Sequence, residues 1–171
     1  MKNIVLIGMP GAGKSTAGVI LAKALRRHLI DTDILIQEQA GRLLQEIIDT
    51  DGPEAFKKLE EETVLSLHGK NTVIATGGSV VFSKRAMEHL KKDGIVVYLK
   101  ISFAEMEQRL RNITTRGIVL SEGETLRGMY DRRVPLYEEY ADLTVMCSGE
   151  DFETVVGKVI YALPGKPGGR A

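Results

Sequence analysis

The stretch Gly8-Met9-Pro10-Gly11-Ala12-Gly13-Lys14-Ser15-Thr16 decides the fold. It reads glycine, four residues, then Gly-Lys-Ser, which is the P-loop spacing. The apolar run Ile4-Val5-Leu6-Ile7 precedes it and a helical pattern follows. Glycines let successive backbone N–H groups curl toward one concavity. The helix that begins near Lys14 adds the positive end of its dipole to the same point. Residues Gly11, Ala12, Gly13, Lys14, Ser15 and Thr16 therefore form the candidate nucleoside triphosphate site, with Lys14 reaching the β- and γ-phosphates. The Ser15 hydroxyl is a candidate ligand for Mg²⁺. A glycine-rich turn with no ligand is the bland alternative, and the strand before and helix after decide against it.

Outward from this stretch, the chain alternates two periods. Apolar runs at 2–8, 29–30, 72–75, 95–99 and 143–146 read as strands. Segments 14–27, 34–40, 43–49, 53–67, 83–92, 102–111, 124–139 and 151–162 read as helices, with Gly41 and Gly52 as punctuation. Strands alternating with helices imply an α/β domain whose five-stranded parallel sheet is covered on both faces. Ligands of such sheets bind outside the carboxyl ends of the strands. That rule gathers the P-loop, Asp31-Thr32-Asp33 and Thr76-Gly77-Gly78-Ser79, since each follows a strand. Residues 1–163 read as one domain, 112–123 as a mobile lid without a strong period, and the Pro/Gly-rich 164–171 as a disordered tail.

The totals exclude several classes. With 23 basic and 23 acidic residues, the 171-residue chain has no net field to draw nucleic acid or an anionic membrane. No apolar run approaches the roughly 18 residues a spanning helix needs, and the first residues do not pattern as a secretion signal. A cytoplasmic, monomeric protein is the expectation. The single cysteine, Cys147, permits no internal disulfide and reads as a buried small apolar residue. His28, His68 and His89 show no metal spacing.

Asp31 and Asp33 stand two apart at a strand end. In extended backbone both would face one side, one carboxylate serving Mg²⁺ and the other a substrate hydroxyl. Asp33 is also a candidate helix cap. Gly77 and Gly78 would let a ligand approach the backbone, or make a plain turn capped by Ser79 or Ser83. Arg109, Arg111 and Arg116 surround the lid, and arginines there neutralise a transferring phosphoryl group in many kinases. Lys57 and Lys58 beside Glu60, Glu61 and Glu62 read as an exposed helical face with i,i+3 pairs. Arg132 and Arg133 read the same way.

The ordered set of these motifs resembles the shikimate kinase family. Gly8–Ser15, Asp31-Thr32-Asp33, Gly41, Phe56-Lys57-Lys58-Leu59-Glu60, Ala75-Thr76-Gly77-Gly78, Arg116, Arg132-Arg133-Val134-Pro135-Leu136-Tyr137 and Ala141-Asp142 carry the likeness, over about residues 3–160. The resemblance implies a P-loop fold like that of nucleoside monophosphate kinases. It implies Mg-ATP as donor and shikimate, a small hydroxylated carboxylic acid, as acceptor at its ring 3-hydroxyl. Lys14 and Arg116 would neutralise phosphate, and Ser15 and Asp31 would serve Mg²⁺. Asp33 would hold the acceptor hydroxyl, Arg133 and Lys57 its carboxylate, and Arg109 would lie against adenine. Gly77 and Gly78, with Ser79, would line the acceptor's floor and present backbone amides.

Three departures cluster in the acceptor and lid region. Lys57 stands where the family has Arg, Ser79 where it has a third Gly, and Gly117 where it has Pro. Lys offers a point charge in place of a fork. Ser79 narrows the pocket, and Gly117 loosens the lid. The departures keep open a kinase of the same scaffold acting on another hydroxy acid, such as homoserine. A nucleotide-binding regulator of weak activity is the third reading, against which Lys14, Asp33 and Arg116 stand together.

Overall fold

The computed structural model describes residues 1–111 and 117–165. Its centre is a five-stranded parallel sheet in the order β2-β3-β1-β4-β5. The strands are β1 (Asn3–Ile7), β2 (His28–Asp31), β3 (Thr72–Ala75), β4 (Gly94–Lys100) and β5 (Leu143–Met146). All four pairings are parallel. β1 is buried along its whole length because it has a neighbour on both edges and helices on both faces. That explains its unbroken apolar sequence.

The helices are α1 (Lys14–Leu25), α2 (Thr32–Ala40), α3 (Leu44–Asp51), α4 (Pro53–Leu65), α5 (Lys84–Asp93), α6 (Phe103–Arg111), α7 (Leu126–Tyr140) and α8 (Phe152–Ala162). A short 3₁₀ turn, Val80–Phe82, precedes α5. The crossover from β1 through α1 runs toward β2, and that from β3 through α5 runs the other way to β4. Right-handed crossovers in opposite directions place their helices on opposite faces. α8 packs beside α1, and α5 and α7 pack against β4. The main core fills both interfaces. A second apolar cluster, Ile36, Leu44, Ile47, Ile48, Phe56 and Val119, ties α2, α3 and α4 to the residues after 116.

Several local expectations are changed or decided. Helix α2 begins at Thr32, so Asp31 and Asp33 do not share one extended strand. The cap is Asp31, whose carboxylate accepts from the Asp33 and Ile34 amides, and not Asp33. Helix α5 is capped by Ser83, which accepts from the Ala86 amide, while Ser79 is left to another task. Gly117 is not merely a looser link. A Cβ built there would lie 2.5 Å from the Leu44 Cβ, so the backbone approaches α3 too closely for a side chain. Cys147 is buried as expected, and burial pushes its thiol up to about 11. No helix among the described residues is long and apolar enough to cross a membrane.

Candidate active site

The carboxyl ends of β1, β2 and β3 open on a cleft of about 330 Å³. One half is the phosphate cradle. Gly13 has a left-handed φ of 87° at the turn into α1, which glycine adopts without strain. Lys14 is buried, and its ammonium donates to the carbonyls of Gly8 (2.7 Å) and Met9 (2.8 Å). Arg109, on α6, braces the cradle from outside: its guanidinium donates to the Gly11 carbonyl (2.7 Å) and to Glu105 (2.6 Å). It is not among the residues lining the cleft.

Ser15 donates to Asp31 Oδ2 at 2.5 Å. The other oxygen of Asp31 is committed to capping α2. One hydroxyl and one carboxylate oxygen at the edge of a phosphate cradle fit Mg²⁺, which keeps several waters and takes phosphate oxygens for the rest. Among the described residues no cluster of three or more His, Cys, Asp and Glu side chains could hold a metal by itself.

The other half of the cleft is lined by Asp33, Phe56, Glu60, Gly77, Gly78, Ser79 and Arg133. Arg133 is 1% exposed, although its helix reads as a polar face. Its Nη2 donates to the Val119 carbonyl at 2.6 Å, and its Nε has no hydrogen-bond partner among the described residues. A buried cation with an unmet donor, lining a cleft, marks a place for an anion. Tyr137, one helical turn on, donates to the Gly78 carbonyl at 2.5 Å and fixes the glycine strand end beside it. The Gly77 amide donates to Thr32 Oγ1 at 3.2 Å, so of the two glycines Gly77 has its N–H already directed inward.

Gly77 is also the tightest point. A Cβ there would lie 2.4 Å from Glu60 Oε2 and 2.8 Å from Asp33 Oδ1. Gly77→Ala is therefore expected to push the two carboxyl groups apart and lower kcat/KM for the acceptor by about tenfold or more, since displacements near 1 Å are costly at reacting centres. Steady-state kinetics with the acceptor varied checks this.

Besides the buried Arg133, two placements differ from the expectations. Lys57 does not line the cleft. Its ammonium pairs with Glu54 at 3.2 Å and sits 4.9 Å from the centre of the Phe82 ring, in a neighbouring groove. Arg132 and Arg133 stack on the same ring. Glu60 is not part of an exposed face: it is 2% exposed, and burial pushes its carboxyl up to about 7. The signal for it was present in the sequence. Phe56, Glu60 and Val64 recur every four residues, which places Glu60 on the buried stripe of α4. Arg116 lies outside the described residues.

Residues 10–164 match the sequence model of a family described as shikimate kinase. A shikimate kinase of Thermodesulfovibrio yellowstonii is 38% identical over 163 residues, covering 94% of each chain. A solved structure described as shikimate kinase from Acinetobacter baumannii in complex with shikimate superposes with a TM-score of 0.85 at 32% identity, covering 94% of this chain and 91% of that one. Shikimate kinase from Aquifex aeolicus superposes with a TM-score of 0.82 at 29% identity, covering 95% of this chain and 96% of that one.

Proposed function

The chain belongs to the shikimate kinase family, and we propose that its cleft moves the γ-phosphoryl group of ATP to a hydroxyl of shikimate. The observation that carries this reading is the meeting, in one cleft, of the phosphate cradle with Asp33 and the buried Arg133. The chemistry needs little covalent help from the protein. Positioning and charge neutralisation do most of the work in phosphoryl transfer.

In this reading Arg133 grips the acceptor's carboxylate and Gly78 presents its amide nearby. Asp33 accepts the proton of the attacking hydroxyl. The freed oxygen forms a bond to the γ-phosphorus while the bond from that phosphorus to the ADP oxygen breaks. Lys14 turns from the loop carbonyls to the phosphate oxygens, and Arg116 adds a second cation from the lid. Ser15 and Asp31 would hold Mg²⁺, which would supply positive charge to neutralise the phosphates. Arg109 steadies the cradle and flanks the adenine. Lys57 is assigned no contact in the reacting complex.

A different acceptor acid is disfavoured by shikimate kinase relatives that match nearly end to end. ADP release from Mg-ATP, followed with shikimate, homoserine and gluconate in turn, tests the assignment. Turnover on shikimate alone is the expected result. Turnover on another acid and none on shikimate would overturn it.

A further inference from the structure

We propose that Ser79 is a positioning residue of the acceptor half: its hydroxyl pins one oxygen of Glu60 in the cleft wall so that the other faces the acceptor beside Asp33. The inference rests on the functional reading above. Ser79 and Glu60 are 5% and 2% exposed, and Ser79 Oγ lies 2.6 Å from Glu60 Oε1. Glu60 Oε2 has no hydrogen-bond partner among the described residues. It points at the same spot above Gly77 as Asp33 Oδ1, since one added Cβ would meet both.

The pair is also a partition. Glu60 and Ser79 line both the reaction cleft and the groove that holds Lys57. With the Lys57 ammonium taken up by Glu54 and the Phe82 ring, the hydroxyl of Ser79 does what a neighbouring cation would otherwise do for Glu60. A glycine at 79 has no group to offer.

The charges around Glu60 set the sign of the effect. Burial disfavours its anion most, and Asp33 of α2 adds to this; the Ser79 hydrogen bond, Arg133 of α7 and Lys14 of α1 oppose it. Other charged groups on packed elements are engaged elsewhere. On α3, Glu46 caps its own helix, Asp49 accepts from Gln45 and Asp51 pairs with Arg42. On α5, Arg85 pairs with Glu61, Lys84 with Glu88 and Lys91 with Asp142, while Glu38 of α2 is exposed. With its carboxyl near 7, Glu60 is neutral below that pH and an anion above it. The anion repels the acceptor's carboxylate and competes for Arg133. KM for shikimate should therefore rise as pH passes upward through about 7.

The test compares wild type, Ser79→Ala and Glu60→Gln in the full chain. Carboxyl ¹³C NMR of glutamate-labelled protein reads the Glu60 titration directly, with Glu60→Gln assigning the resonance. Loss of the hydroxyl removes a bond that favours the anion, so in Ser79→Ala the midpoint should move to higher pH. At pH 6, where the carboxyl is neutral in both proteins, KM for shikimate should rise about fivefold in Ser79→Ala, the worth of one hydrogen bond. The loss should fall on KM more than on kcat, and KM for ATP should hold. In Glu60→Gln the pH dependence of KM should disappear. An unmoved NMR midpoint in Ser79→Ala, or a wild-type KM that is flat across pH 7, would overturn the proposal. Absence of shikimate turnover with a midpoint that still moves would overturn the functional reading and leave the coupling of Ser79 to Glu60 standing.

Discussion

Asp33→Asn should lower kcat for shikimate by about a thousandfold while ATP binding persists, because an amide of nearly the same shape cannot accept the hydroxyl proton. Asp33 lines the cleft at the start of α2, where its position is fixed by the helix cap two residues earlier, Asp31. That capping bond does not involve the Asp33 side chain, so the substitution leaves the helix start intact. Asn also removes one of the two carboxyl groups crowding Gly77, so the fold should not suffer. Turnover by a coupled ADP assay, with ATP affinity by calorimetry, checks the split. A kcat within about threefold of wild type would remove Asp33 from the proton path.

Arg133→Ala should raise KM for shikimate by about a hundredfold or more, in line with the ~2–5 kcal/mol lost when one partner of a buried charge pair is removed. The side chain is almost fully buried, and its Nη2 holds Val119, which belongs to the apolar cluster tying the segment after 116 to α2, α3 and α4. Truncation therefore removes the anion site and loosens that segment together. Arg133→Lys separates the two effects. It keeps a cation and most of the packing but loses the planar fork, so KM should still rise by about tenfold. KM for ATP should move little in either variant, because the cradle draws on Lys14 and the start of α1. An unchanged KM for shikimate in Arg133→Lys and Arg133→Ala would place the acceptor's carboxylate elsewhere.

How much of this was legible in the chain varies by element. Strand β1 and the P-loop were readable because their signals are local, an unbroken apolar run and a glycine spacing, and the helical segment after them was read in its place; its buried face, Ala17, Gly18, Leu21 and Ala22, was not, since Val19 stands exposed. The parallel sheet followed from the alternation of elements, and with it the edge where ligands bind. The start of α2 was misplaced because Asp31 ends a strand and caps a helix at once, and only the backbone says which of two aspartates does the capping. Glu60 and Arg133 were harder, although the four-residue period of Phe56, Glu60 and Val64 did carry a signal for the first. Each is a charged residue within a charged run, and burial of such a residue depends on partners distant in sequence, Ser79 and Val119.

The opening stretch, Gly8–Thr16, was sufficient to establish a phosphate cradle at the end of a buried strand, because backbone geometry and helix polarity are written in nearest neighbours. The chemistry of the acceptor half was not local in this way. Whether a cation at 57 reaches the cleft, whether a serine at 79 fills space or holds a carboxylate, and whether the backbone at Gly117 stands free or packs on α3 are settled by which residues meet across the fold. Those meetings set burial and hydrogen bonding, and through them charge, which is why the tertiary structure alone decided them.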